Sequence, residues 1–126
     1  MRALSTDQTM FHGSFPYVVD NTFTFEVDDV IQGRISRIDR DVARIYFMRR
    51  DDHAAGNFVP APVPGHLTLH DVGRRKVVPV HRNQLFITWM ANYELRHGNE
   101  AVLCLKAEHQ HTIRTSFDCG EFKITP

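Results

Sequence analysis

Residues 84–107 read QLFITWMANYELRHGNEAVLCLKA, and the fold class turns on how this stretch is read. Two periodicities compete over 84–97. Leu85, Phe86, Trp89, Met90 and Tyr93 fit one stripe of a helix, with Asn83 as a cap and Gly98 as a stop. Leu85, Ile87, Trp89, Ala91, Tyr93 and Leu95 also alternate without a miss against Phe86, Thr88, Met90, Asn92, Glu94 and Arg96, the period of a half-buried strand. The segment that follows decides between them. Ala101, Leu103, Leu105 and Ala107 alternate too. A hairpin closed by the three-residue loop Gly98-Asn99-Glu100 sets Leu95 opposite Leu103, Tyr93 opposite Leu105 and Ala91 opposite Ala107. All these side chains then share one face, as register demands of a sheet with one buried side. A two-residue loop would set the leucines against Glu94 and Asn92. We therefore read 84–97 as strand.

Working outward, the same period recurs. Phe23, Phe25 and Val27 oppose Thr22, Thr24, Glu26 and Asp28, and a strand pair spans 32–50 around the turn-like Asp39-Arg40-Asp41. Residues 51–65 break the pattern with Asp51-Asp52, Gly56-Asn57 and prolines 60, 62 and 64. Proline lacks an amide donor, so this is read as a long surface loop and not a ladder strand. Short strands are expected at 66–71 and 76–82, the second at an edge or bulge because of Pro79. Beyond 107 a hairpin through His109-Gln110-His111 leads into 112–118, and Asp118-Cys119-Gly120-Glu121 turns into a last strand, Phe122 to Thr125. Residues 1–21 read as an irregular lead-in. The expectation is an all-β single domain over 1–126: an antiparallel β-barrel or two-sheet β-sandwich of about eight strands, with one long proline-rich loop.

Composition narrows function by exclusion. A chain of 126 residues with 15 Lys+Arg against 15 Asp+Glu has zero formal charge, so bulk attraction to nucleic acid or an anionic membrane is not expected. Nothing approaches the roughly 20 apolar residues of a membrane span. No signal-like apolar core and only two cysteines lead to the expectation of a soluble, cytoplasmic protein. Cys104 lies between leucines and reads as an inert buried thiol. Continuing the hairpin ladder would put Cys119 opposite Ala101, roughly 10 Å from Cys104, so no disulfide is expected.

Three constellations could carry chemistry. His66, His70, His109 and His111 form two clusters. On a strand His109 and His111 would share a face roughly 7 Å apart, whereas His66 and His70 would stand roughly 13 Å apart. A divalent metal would therefore need one of His66 and His70, with His66 as the candidate, beside His109 and His111, and Glu108 or Asp71 as a carboxylate ligand. His-x-His on a strand resembles the start of a cupin-type metal site, but Thr112-Ile113-Arg114 follows where that pattern has a carboxylate and glycine. The hairpin reading instead leaves residues 109–111 in a loop. Next, Arg34, Arg37, Arg40, Arg44, Arg49 and Arg50 crowd a strip containing Tyr46 and Phe47, to which Arg74-Arg75-Lys76 could add. Arginine beside aromatics suits phosphate or single-stranded nucleic acid, while local ion pairing with Asp39, Asp41, Asp51 and Asp52 is the plainer reading. Last, Trp89 and Tyr93 either line a pocket or form the core, and Phe86 with Met90 could bury against a second subunit.

No glycine-rich phosphate loop or nucleophile elbow is present. The resulting expectation is a non-enzymatic binding or assembly module without cofactor. It acts through a homo-oligomer, a protein partner or a small-ligand pocket, with Trp89, Tyr93, Arg44, Tyr46 and Arg50 as ligand-binding candidates. The alternatives are a small cupin-like metal-dependent or histidine acid–base enzyme using His66, His109 and His111, and a single-stranded nucleic-acid or nucleotide binder along Arg34–Arg50.

Overall fold

The alternating segments form strands in a computed structural model that describes residues 9–12, 22–38, 41–57, 59–107, 112–117 and 119. In chain order these are β1 (Thr9–His12), β2 (Thr22–Glu26), β3 (Ile31–Arg37), β4 (Val42–Arg49), one helical turn α1 (Arg50–Ala54), β5 (Pro60–Ala61), β6 (Leu67–Asp71), β7 (Lys76–Val77), β8 (Gln84–Thr88), β9 (Tyr93–His97), β10 (Glu100–Ala107) and β11 (Thr112–Ser116). They build two antiparallel sheets. One runs β1-β11-β10-β9-β6-β7; the other runs β2-β3-β4-β5, with β8 paired to the first half of β4. Phe25, Ile35, Ile45, Phe47, Leu85 and Ile87 from the second sheet meet Leu69, Leu95, Leu103 and Leu105 from the first in one buried cluster. That is an all-β fold of two sheets packed face to face, the sandwich-like one of the two architectures the period-two pattern allowed.

The stretch 84–97 is strand, but it is two strands and not one. β8 belongs to one sheet and β9 to the other, so the chain crosses the sandwich at Trp89–Asn92. Alternation survives because both sheets face the same core: Leu85, Ile87 and Trp89 enter it from one side, Tyr93 and Leu95 from the other. The corner is tied by hydrogen bonds that replace ladder pairing. Thr88 donates its amide to Tyr93 Oη (3.1 Å), Val72 to the Asn92 carbonyl (2.9 Å) and Ala107 to Asn92 Oδ1 (2.7 Å).

The hairpin after it reaches the expected register by another route. Its connection has two residues, Gly98 (φ +62°) and Asn99, which pairs Glu100 with His97 and Ala101 with Arg96. Continued unchanged, that register would oppose leucines to polar residues. A bulge at Val102 shifts it by one residue and restores Leu103 opposite Leu95 and Leu105 opposite Tyr93. As a result Val102, Leu103, Cys104 and Leu105 are all buried in succession.

Four further expectations are corrected. Part of the lead-in, Thr9–His12, is an edge strand paired with β11. The segment 51–65 is not wholly loop: α1 opens it, and Pro60–Ala61 does join the ladder beside Met48 and Phe47. At the end of a sheet, the amide that proline lacks has no second strand to serve. Cys104 and Cys119 form a disulfide with Cα atoms 5.4 Å apart. The ladder that would have carried Cys119 away ends at Ser116, which stands opposite Cys104, and the chain bends at Phe117 to bring Cys119 back. The ladder of 76–82 stops at Val77, with Pro79 following it at the sheet edge. The last strand read at 122–125 lies outside the described residues.

Gly33 fixes how the second sheet packs. It pairs with Phe25 on one side and Phe47 on the other, and a Cβ there would overlap the Phe25 ring. The missing side chain lets Phe25 lie across the strand, edge-on to Phe47 at 6.2 Å between centroids.

Candidate functional site

Because Ile35, Ile45 and Leu85 point inward, their neighbours Arg34, Arg44, Tyr46 and Gln84 point outward. Register sets Tyr46 between Arg34 and Gln84, and Arg44 between Ser36 and Phe86. Both guanidinium groups lie over the Tyr46 ring, Arg44 Cζ at 4.9 Å and Arg34 Cζ at 5.9 Å from its centroid. Arg44 also donates from Nε to Ser36 Oγ (3.4 Å) and from Nη1 to Gln84 Oε1 (3.3 Å). Pro60, from β5, completes the wall of a cleft of about 210 Å³ lined by these two arginines, Tyr46 and Gln84.

The cleft is rich in donors. Arg34 Nε is buried and has no hydrogen-bond partner among the described residues, and the same holds for Gln32 Nε2, two residues along the same face of β3. No carboxylate lines the cleft among the described residues. Glu26, in the adjoining row, is bridged to Arg50 at 3.1 Å. A buried donor without an acceptor is costly, of the order of 1–3 kcal/mol and more for a charged group. Nε is itself closed to solvent, so an acceptor entering the cleft would satisfy it only once the Arg34 guanidinium turns toward the opening.

The remaining candidates separate. Arg50 caps the end of β4 in its ion pair with Glu26 and does not line the cleft, while Arg49 is exposed. The side chain of Arg37 and all of Arg40 lie outside the described residues. Arg74 and Arg75 occupy the connection between β6 and β7, in the other sheet, and so do not extend the arginine strip. Trp89 and Tyr93 are buried in the core. Tyr93 also borders a hollow of about 260 Å³ at the corner with Asp71, Arg74, Met90 and Asn92. There Asp71 Oδ1 accepts the Arg74 amide and Asn92 Oδ1 that of Ala107, so both acceptors are engaged in holding backbone.

Of the proposed metal ligands, His66 is exposed and meets His97 edge-on at 5.1 Å between ring centroids. His109, His111 and Glu108 lie outside the described residues. Among the described residues no three His, Cys, Asp or Glu side chains are placed to hold a metal ion.

His70 sits in a network that its sequence neighbourhood does not reveal. Its Nε2 is 2.9 Å from Thr68 Oγ1, its Nδ1 is 3.4 Å from Arg96 Nη1, and Arg96 grips Glu94 Oε1 through Nε (2.9 Å) and Nη2 (2.6 Å). A guanidinium can only donate, so Nδ1 accepts and Nε2 carries the proton directed at Thr68. Burial first, then the Arg96 charge, holds the imidazole below the ordinary histidine range against the opposing pull of Glu94. A base that activated Thr68 would need the opposite polarity, with Nε2 free and a carboxylate on Nδ1. The group is a surface brace across β6 and β9.

The sequence reading singled out Arg44 and Tyr46 and counted Arg34 in their strip, but it missed Gln84 and Pro60. Strand alternation put Arg44 and Tyr46 on one face; only the pairing of β4 with β3, β5 and β8 adds the others. Compared with known proteins, the chain matches no protein-family model, no curated protein and no solved structure.

Proposed function

We propose that this protein is a non-enzymatic binding module that holds a small ligand in the cleft between Arg34, Arg44, Tyr46, Gln84 and Pro60. The observation that carries this reading is the buried Arg34 Nε, without a partner beside a second guanidinium. Side chains that only decorate a surface satisfy their donors with water; here a donor is withdrawn from water and left waiting. Rigid support comes from β3, β4 and β8, whose inward residues Ile35, Ala43, Ile45, Phe47, Leu85 and Ile87 are buried in the core. A volume of about 210 Å³ lies below the roughly 300–1,000 Å³ of sites for drug-sized molecules, which limits the ligand to a small one.

For the enzymatic alternative, His109 and His111 lie outside the described residues, and among the described ones His70, beside the Thr68 hydroxyl, is held with the wrong polarity for a base. The nucleic-acid alternative loses its continuous strip, because Arg50 is engaged elsewhere and Arg74 and Arg75 belong to the other sheet. Cytoplasmic residence was expected from the lack of a signal-like apolar core and from a cysteine count too low for a disulfide scaffold. With no free cysteine among the described residues, an oxidising compartment is the better-supported home. The binding reading is tested by recording amide and arginine side-chain resonances while small anionic and neutral aromatic fragments are titrated. Shifts confined to β3, β4, β8 and Ala61, beside Pro60, are expected. Fragments that shift only the corner at residues 71–74 and 88–93 would overturn it.

A further inference from the structure

Resting on that reading, we infer that the ligand is a phosphate monoester: a phosphoryl dianion carried on a group no larger than about one ring. The charge argument comes first. Two guanidinium groups face a cleft that no carboxylate lines among the described residues, so the site selects an anion. Geometry then separates the kinds of anion. A carboxylate has two oxygens, which a single arginine fork satisfies. It would leave the second guanidinium facing the cleft without a counter-charge.

A phosphoryl dianion carries three terminal oxygens and close to two charges at neutral pH. It can accept from Arg44, whose two side-chain contacts at 3.3 and 3.4 Å are long, and from Arg34 once its guanidinium turns to expose Nε. That turn gives the orphaned donor the acceptor it lacks. Size sets the remainder. The volume admits the phosphoryl group and one ring or short chain against Pro60 and the Tyr46 edge, and it excludes a nucleoside polyphosphate. The donors are arginines and not lysines, which matches planar, multi-oxygen recognition more than simple charge attraction.

The test is titration calorimetry and nitrogen–proton spectroscopy on the full chain with five probes: phenyl phosphate, inorganic phosphate, benzoate, phenol and an eight-nucleotide oligothymidine. Phenyl phosphate is expected to bind at least tenfold tighter than benzoate, with phenol not measurably bound and with shifts at the Arg34 and Arg44 Nε resonances. Arg34→Gln and Arg44→Gln should each weaken it at least tenfold, Arg44→Lys should recover only part, and the exposed control Arg49→Gln should change it less than twofold. Spectral mapping on the unaltered chain keeps the test decisive if a variant folds poorly. Benzoate or phenol binding in the cleft as tightly as phenyl phosphate would overturn the ligand class while sustaining a binding site. Oligothymidine binding tighter than phenyl phosphate, with a steep loss in salt, would replace the small ligand by single-stranded nucleic acid. No binding by any probe, or binding untouched by both arginine variants, would overturn the inference and the site together.

Discussion

Replacing Gly33 with alanine tests the packing that positions the cleft-bearing sheet. The new Cβ would stand 2.8 Å from Phe25 Cε1 and closer still to Cζ and Cε2. Phe25 cannot swing aside freely, since it is 1% exposed and packs on Phe23 and Phe47 at 6.0 and 6.2 Å between centroids. Overpacking of this kind costs about 1–3 kcal/mol. Alanine recovers about 0.5–1 kcal/mol over glycine in a strand interior. The net expectation is a loss of about 1–2 kcal/mol, or about 3–8 °C in Tm for a domain of this size.

Phe25→Leu removes the ring atoms that the methyl meets. In that background Gly33→Ala should be neutral or stabilising by about 0.5–1 kcal/mol, so the two positions should couple by about 2 kcal/mol in a double-mutant cycle. Urea denaturation followed by fluorescence of the single tryptophan, Trp89, buried in the same core, reads all four proteins. A coupling under about 0.5 kcal/mol, with Gly33→Ala equally harmful in both backgrounds, would refute the claim that Gly33 exists to seat the Phe25 ring.

Other perturbations probe the remaining features. Cys119→Ser should lower stability by about 3 kcal/mol, the chain-entropy value for a closed loop of this length. It should also abolish the sensitivity of the melting temperature to dithiothreitol, and two titratable thiols in the unreduced, unfolded protein would sink the disulfide. Asn92→Ala leaves the Ala107 amide without its acceptor and should cost about 1–2 kcal/mol, with faster hydrogen exchange at Ala107; Asn92→Asp, which keeps the oxygen, should retain most of it. For His70, the folded-state pKa lies below the unfolded value, so the unfolded chain binds more protons between the two. Its contribution to stability is complete above the unfolded pKa and erodes as pH falls through the lowered one. Proton spectroscopy should place its midpoint below that of a free histidine, and Arg96→Gln should raise it; a midpoint at or above the free value would contradict the network.

Much of the framework was readable before any fold existed, because side-chain direction in a strand is a local property of period two. Alternation alone separated Leu85, Ile87, Tyr93 and Leu95 from Phe86, Thr88, Glu94 and Arg96, and it paired Leu95 with Leu103 correctly even though the loop was counted one residue too long. Local pattern could not show that the chain changes sheets at Trp89–Asn92, since both sheets bury their inward faces in the same core and the alternation runs on undisturbed. It also missed the disulfide, because the bend at Phe117 departs from a ladder that sequence extrapolates straight.

The candidate site divides along the same line. Outward placement of Arg44 and Tyr46 follows from residues 42–49 alone. Their company does not: Arg34 arrives through the β3 register, Gln84 by β8 returning to β4 after some 40 residues, and Pro60 through two residues of edge pairing. What the sequence determined is the class of fold and the face on which each side chain stands, since backbone pleating sets both within a few residues. Which faces adjoin, and hence which donors converge on one cleft, depended on strand order and register, which exist only once the whole chain has chosen its partners.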